Sequence, residues 1–216
     1  MMQKLQTLTS LIENGVVAVI RADSKEEAIK TSKACVNGGI KGIEITFTVD
    51  GATDIIRELS KEFKDDEEVI IGAGTVLDAI TARVAILAGA KFVVSPSFDR
   101  ETAKLCNLYQ IPYMPGCMTI TEMKQALEWG VDIIKLFPGN TYGPAWIKSV
   151  KAPLPQVNLM PTGGVDLDNV QDWIKHGSVA VGIGGNLVKY AKTGEFDKVT
   201  ETARKFVEKV QEAREG

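Results

Sequence analysis

A closed, parallel (β/α)8 barrel in a single domain is the fold this sequence predicts, on three observations. Eight short apolar runs rich in β-branched residues end in Gly or Pro, and an amphipathic stretch follows each. No low-complexity or Pro/Ser-rich linker divides the 216 residues, and a 44% hydrophobic share is ample for one sizeable core. The rival architecture, an open doubly wound sheet, wants a glycine-rich first turn, and the first turn here, Ile20-Arg21-Ala22-Asp23, has no glycine. Gly182-Ile183-Gly184 also fails the dinucleotide fingerprint, because Leu187 stands where the third glycine belongs. The barrel, of the TIM type, is preferred.

The elements follow in order. Residues 1–216 are expected to form the one barrel domain, with 1–14 an N-terminal helix. Strands are placed at 16–20, 42–47, 69–75, 92–96, 112–116, 133–138, 158–164 and 179–185. Ser24-Lys25-Glu26-Glu27 and Thr119-Ile120-Thr121-Glu122 both fit a capping box, in which hydroxyl and carboxylate satisfy free N–H groups at a helix start. Asp78 and Asp99 are expected N-caps. Gly38, Gly89, Gly130 and Gly177 each follow a helical stretch just ahead of a strand, as C′ glycines do. Two strands separate successive members of that set, the trace a fourfold repeat of (βα)2 units would leave. The other helices end in Lys64-Asp65-Asp66-Glu67-Glu68, Gln110-Ile111-Pro112 and Pro153-Leu154-Pro155.

Charge and composition narrow the function. Twenty-five basic residues against 28 acidic ones leave no positive excess to hold a phosphate backbone, so no nucleic-acid partner is expected. No apolar run approaches the roughly 18–20 residues a bilayer crossing needs, so no membrane is expected either. The start, Met1-Met2-Gln3-Lys4-Leu5-Gln6-Thr7, lacks the apolar stretch of a secretory signal. Cys35, Cys106 and Cys117 form no CxxC and cannot all pair with one another, which favours a reducing, cytoplasmic setting. The single histidine, His176, excludes His-based metal clusters and catalytic triads, and beside Lys175 it reads as a helix-end cation. Cys117 reads as a small core residue, and Trp129, Trp146 and Trp173 as helix-packing residues.

The chemistry rests first on Lys135, in Asp132-Ile133-Ile134-Lys135-Leu136-Phe137-Pro138. A lysine in the middle of an apolar strand is costly to bury as an ammonium, and desolvation favours the neutral amine that condenses with a ketone. Alternation puts Ile133, Lys135 and Phe137 on one face and Ile134 and Leu136 on the other. Glu44, in Gly42-Ile43-Glu44-Ile45-Thr46-Phe47, is an acid in the same predicament. If both point inward, a salt bridge and a base beside a nucleophilic amine are equally open. Pro161-Thr162-Gly163-Gly164 and Gly182-Ile183-Gly184-Gly185-Asn186 close strands seven and eight, where barrels commonly bind phosphate through backbone N–H groups. Strand three ends in Gly72-Ala73-Gly74-Thr75, which offers a hydroxyl to the cavity.

Over nearly its whole length the sequence resembles the class I aldolases that act on 2-keto-3-deoxy-6-phosphogluconate (KDPG) and 4-hydroxy-2-oxoglutarate (KHG). The resemblance lies in Glu44-Ile45-Thr46, Gly72-Ala73-Gly74-Thr75-Val76, Ser95-Pro96, Pro115-Gly116, Lys135-Leu136-Phe137-Pro138 and Pro161-Thr162-Gly163-Gly164. It implies that Lys135 is the Schiff-base lysine and Glu44 the acid/base. It also implies that Thr75, Pro96 and Phe137 line the pyruvate half, while Thr162, Gly163, Gly164, Gly184 and Gly185 hold the phosphate. No metal or other cofactor, a small keto-acid phosphate substrate and a homotrimer are expected on the same ground.

Two departures from that family stand out. Many members carry an Arg four residues after the catalytic Glu to hold the substrate carboxylate, and Thr48 stands there in this chain. Arg21, at the end of strand one, is the candidate to replace it, because strand C-termini converge on one face of a barrel. Many members also have a Ser where this chain has Gly185, which removes one hydroxyl donor to phosphate. Two other functions fit parts of the pattern. A phosphosugar isomerase or epimerase would use Glu44 as base and Lys135 as an electrostatic helper, and a non-catalytic phospho-ligand scaffold would need only the glycine loops.

Overall fold

In the computed structural model, which describes residues 2–215, every predicted strand forms and the sheet closes on itself. The first half runs α1 (Gln3–Asn14), β1 (Val16–Ile20), α2 (Lys25–Asn37), β2 (Gly42–Thr46), α3 (Ala52–Glu62), β3 (Ile70–Gly74), α4 (Ala79–Ala88) and β4 (Val93–Ser95). The second runs α5 (Arg100–Leu108), β5 (Tyr113–Cys117), α6 (Ile120–Glu128), β6 (Ile134–Leu136), α7 (Trp146–Lys151), β7 (Leu159–Pro161), α8 (Val170–Lys175), β8 (Val181–Ile183), α9 (Gly185–Val188) and α10 (Phe196–Glu215). Strand order is β7-β6-β5-β4-β3-β2-β1-β8, and a parallel bridge between Thr162 and Gly182 joins the two ends. Of the expected 1–216 span, residues 1 and 216 lie outside the described residues.

Alternation along each strand sorts the side chains into two cores. Ile43 and Ile45 of β2, with Ile134 and Leu136 of β6, point outward into the core between sheet and helices. Val17, Ile70, Phe92, Val94, Met114, Ile133, Met160 and Ala180 fill the inside of the barrel. These residues cluster near the strand starts, and Leu11 of α1 packs among them, so α1 plugs the barrel at that end. Leu11 is 1% exposed, and truncating it to Ala should cost roughly 2–5 kcal/mol. The outgoing ends of the strands are left for a site.

Several boundaries differ from the sequence reading. Most strands are shorter, because the apolar pattern runs on into residues that already turn out of the sheet. Thr75 leaves β3 at φ 55°, and β8 spans only Val181–Ile183. β5 extends one residue further, to Cys117. Asp78 and Asp99 cap α4 and α5, each accepting a backbone N–H at 2.7 Å. Thr119 and Glu122 make the full capping box on α6. Ser24 makes only half of one: its Oγ accepts Glu27 N–H, but Glu27 accepts from Asp23 N–H instead of from Ser24. Gly89, Gly130 and Gly177 have positive φ, whereas after α2 that conformation falls on Gly39 (φ 94°) and not on Gly38. Gly38 serves close packing, since a Cβ there would stand 2.5 Å from Cβ of Ala203 on α10.

Candidate active site

Lys135 and Glu44 face each other across the barrel. Lys135 is level with Gly116 of β5 and Met160 of β7, and Glu44 with Val19 of β1 and Gly72 of β3. β2 and β6 stand opposite in the closed order, so two inward side chains at matching height must meet. Lys135 Nζ lies 4.0 Å from Glu44 Oε1. They are 5% and 0% exposed, the only buried acid and base among the described residues. Nζ also sits 4.8 Å from the centroid of the Phe137 ring, which stands over the amine.

The surroundings of Glu44 determine its proton. Neither carboxylate oxygen has a hydrogen-bond partner, and both are buried. Loss of water without replacement donors pushes the carboxyl above its ordinary range, while the charges of Lys135 and Arg21 oppose the rise. Such a group can carry a proton and hand it on. The carboxyl reaches the barrel centre through a space left by Gly74, where a Cβ would lie 2.0 Å from Oε1.

A cavity of about 550 Å³ opens at the outgoing ends of β1, β6, β7 and β8. It brings together seven of the residues singled out in the sequence: Arg21, Phe137, Thr162, Gly163, Gly164, Gly184 and Gly185. Gly163 and Gly164 turn at φ 92° and 76°, a path closed to most side-chain-bearing residues. Thr162 Oγ1 is buried without a partner beside Gly182, and Gly185 opens α9 with nothing within 4 Å of where its Cβ would be. Thr75 and Pro96 are not in that wall; they end β3 and β4 on the other side of the barrel. The line from Glu44 to Lys135 runs between the two sides.

Arg21 has no ion pair among the described residues, for Asp23 pairs with Lys192 (3.4 Å) and Glu26 with Lys30 (2.6 Å). Thr48 is exposed, and its Oγ1 lies 2.8 Å from Thr46 Oγ1, which donates to the Ile20 carbonyl at 3.1 Å. Thr48 therefore donates to Thr46 and braces the residue ahead of Arg21. Asn186, the last residue of the glycine run after strand eight, also lines the cavity, as do Lys189 and Lys192, which the sequence reading missed because buried Leu187, Val188 and Ala191 break the stretch into isolated polar positions. Asn186 Nδ2 donates to the Val165 carbonyl at 2.9 Å and ties the β7 and β8 loops together.

The remaining candidates are structural. His176 Nδ1 lies 2.7 Å from the Asp172 carbonyl at the exposed end of α8. Cys117 is buried, and burial pushes its thiol up to about 12. Trp173 is buried, and Trp146 stacks on Tyr142 at 4.5 Å. No group of three or more His, Cys, Asp or Glu side chains among the described residues is arranged to hold a metal ion, and no helix among them is long and apolar enough to cross a membrane.

Known proteins match both the sequence and the fold. The family model for KDPG and KHG aldolases matches residues 8–202. The KHG/KDPG aldolase of Escherichia coli (strain K12) is 34% identical over 204 residues, 92% of this chain and 94% of that one. A KDPG aldolase from Legionella pneumophila, solved with pyruvate captured as a covalent carbinolamine, superposes with a TM-score of 0.81 at 29% identity, covering 88% of this chain and 92% of that one. A cube-shaped cage designed by fusing symmetric oligomeric domains superposes at 0.85 with 28% identity, covering 93% of this chain and 73% of that one.

Proposed function

We infer the reaction from the family: the chain belongs to the KDPG and KHG aldolases. It is a carbon–carbon lyase of the Schiff-base type that cleaves 2-keto-3-deoxy-6-phosphogluconate to pyruvate and glyceraldehyde 3-phosphate. We extend its substrates to 4-hydroxy-2-oxoglutarate, cleaved to pyruvate and glyoxylate. One observation carries the assignment of roles: the sole buried lysine among the described residues lies 4.0 Å from the sole buried acid. A carbinolamine, captured in the Legionella relative, forms only from an amine and a carbonyl.

The unprotonated Lys135 amine adds to the C2 ketone. The carbinolamine hydroxyl leaves as water with a proton from the Glu44 carboxyl, and an iminium remains. Glu44, now a carboxylate, takes the C4 hydroxyl proton through a water as the C3–C4 bond breaks. The bonding electrons flow into the iminium, giving an enamine and releasing the aldehyde. Glu44 returns the proton to C3, and water then hydrolyses the pyruvate iminium. The iminium is the electron sink, so this course calls on neither metal nor organic cofactor.

Binding divides across the barrel. Thr75, Pro96 and Phe137 hold the pyruvate half, with Arg21 on its carboxylate; Arg21 is close enough for its charge to act on Glu44. Thr162, Gly163, Gly164, Gly184 and Gly185 hold the phosphate, whose binding energy helps place the ketone against Lys135. A homotrimer is the assembly we favour, supported by the relative built from symmetric oligomeric domains. Three free cysteines, all buried, support a cytoplasmic setting. Incubation with the phosphorylated keto acid is the test of the reaction: pyruvate and glyceraldehyde 3-phosphate should appear in equal amounts, and isomerised or untouched substrate would refute it.

A further inference from the structure

Charged side chains reach the cavity wall from two places in the fold. Arg21, Asp23 and Glu27 follow β1, whereas Lys189 and Lys192 follow β8, at the end of α9 and in the turn Ala191–Thr193. Among the described residues the one ion pair between these groups joins Lys192 to Asp23, with Nζ 3.4 Å from Oδ2. Glu27 is turned to the backbone and accepts the Asp23 N–H at 3.1 Å. Lys189 is exposed and has no ion pair among the described residues; its Nζ rests 5.0 Å from the Tyr190 ring centroid. It follows Gly185 by four residues, so the two share a face of α9. A helical side chain leans toward the N-terminus of its helix, and nothing lies within 4 Å of where a Gly185 Cβ would be. The bare glycine leaves the lysine a clear path back toward the β7 and β8 loops.

A phosphate monoester brings a charge of about −1.5 to −2 at neutral pH. Glycine N–H groups and the Thr162 hydroxyl can hydrogen-bond it, but none of them carries a net charge. Arg21 is assigned to the carboxylate at the other end of the substrate. We propose that Lys189 and Lys192 determine the preference of this chain for phosphorylated keto acids. Lys189 pairs with the phosphate directly, and Lys192 exchanges Asp23 for it. An exposed ion pair is weakly held, so a phosphate of nearly twice the charge displaces the single carboxylate. Asp23 thus works against the substrate, as the competitor that it must displace. The proposal rests on the aldolase reading above and names the groups that tell a phosphorylated substrate from an unphosphorylated one.

Cleavage of the phosphorylated keto acid, and of the same acid without its phosphate, tests this. The quantity read is the ratio of the two kcat/KM values. Lys189→Met should lower that ratio about tenfold, the lower end of what a charge-assisted hydrogen bond supplies. Lys192→Met should lower it a few-fold, and Asp23→Asn should raise it by freeing Lys192. Opposite signs from the two halves of one ion pair are what a merely structural pair would not give. All three effects should shrink as ionic strength rises. A ratio unchanged in either lysine variant overturns the proposal, and so does one that Asp23→Asn lowers or leaves alone. Failure of the wild type to cleave the phosphorylated acid refutes the aldolase reading instead. Where the wild type does not cleave both acids, titration calorimetry with the phosphorylated one decides: Lys189→Met should bind it about tenfold more weakly, and equal affinity overturns the proposal.

Discussion

A Cβ atom on Gly74 would stand 2.0 Å from Oε1 of Glu44 and 2.6 Å from its Cδ and Cγ. The two residues lie on neighbouring strands, with Gly74 level with Thr46. The volume that any other residue at 74 would fill is occupied by the Glu44 carboxyl. The distance from Glu44 to Lys135 is thus set in part by an absent side chain.

Gly74→Ala should therefore displace the carboxyl from the amine. Position 74 does not have a positive φ, so alanine strains no backbone there. A displacement on the ångström scale is worth on the order of 100-fold in turnover. Cleavage should fall by that order, and imine formation with pyruvate should slow with it, because the same carboxyl supplies the proton that expels the carbinolamine hydroxyl. An unchanged kcat would show that the carboxyl need not occupy this space.

Glu44→Gln keeps the shape and removes the proton carrier. General acid–base help is worth about 10²–10⁴-fold, and steady-state cleavage should drop within that range. Single-turnover rates should drop with it. If both stay within a few-fold of wild type, Glu44 is only a structural partner of Lys135.

The same carboxyl should leave a mark on stability. Burial raises its folded value above the ordinary 4.5 of the unfolded chain. Between those two values the folded state holds a proton that the unfolded state has released, so unfolding free energy falls as pH rises through the window. Below about 4.5 both states are protonated and the penalty vanishes. Glu44→Gln lacks the titration, so its advantage over wild type in urea midpoint should grow as pH rises from that point. A difference independent of pH would contradict the burial effect.

Much of the site was legible because it follows from strand alternation. Apolar neighbours fix which face Lys135 and Glu44 share, and the closed strand order sets strands two and six opposite each other. The glycine loops were legible from their place after strands seven and eight. Features that depend on distant contacts were not. Gly38 is dictated by Ala203 on α10, and local pattern alone made it a helix cap. Lys189 and Lys192 reach the cavity through a four-residue helix and the turn after it, too short to show a period.

Arg21→Ala addresses the position left by Thr48. A charge-assisted hydrogen bond is worth roughly 1.5–3 kcal/mol, or about 10- to 100-fold in KM. Both the phosphorylated keto acid and 4-hydroxy-2-oxoglutarate carry the carboxylate, so KM should rise for both. Thr48→Arg in that background should recover part of the loss. A rise confined to the phosphorylated substrate would place Arg21 on the phosphate, alongside the glycines with which it shares a cavity.

Pyruvate and borohydride together reach the reacting nitrogen itself. Reduction of the imine should leave one covalent adduct per chain, found by peptide mass spectrometry on Lys135, and the Lys135→Ala variant should fold, take up no label and cleave no substrate. A wild-type chain that cleaves the substrate yet carries no adduct on Lys135, or a folded Lys135→Ala variant that turns over normally, would contradict the Schiff-base mechanism.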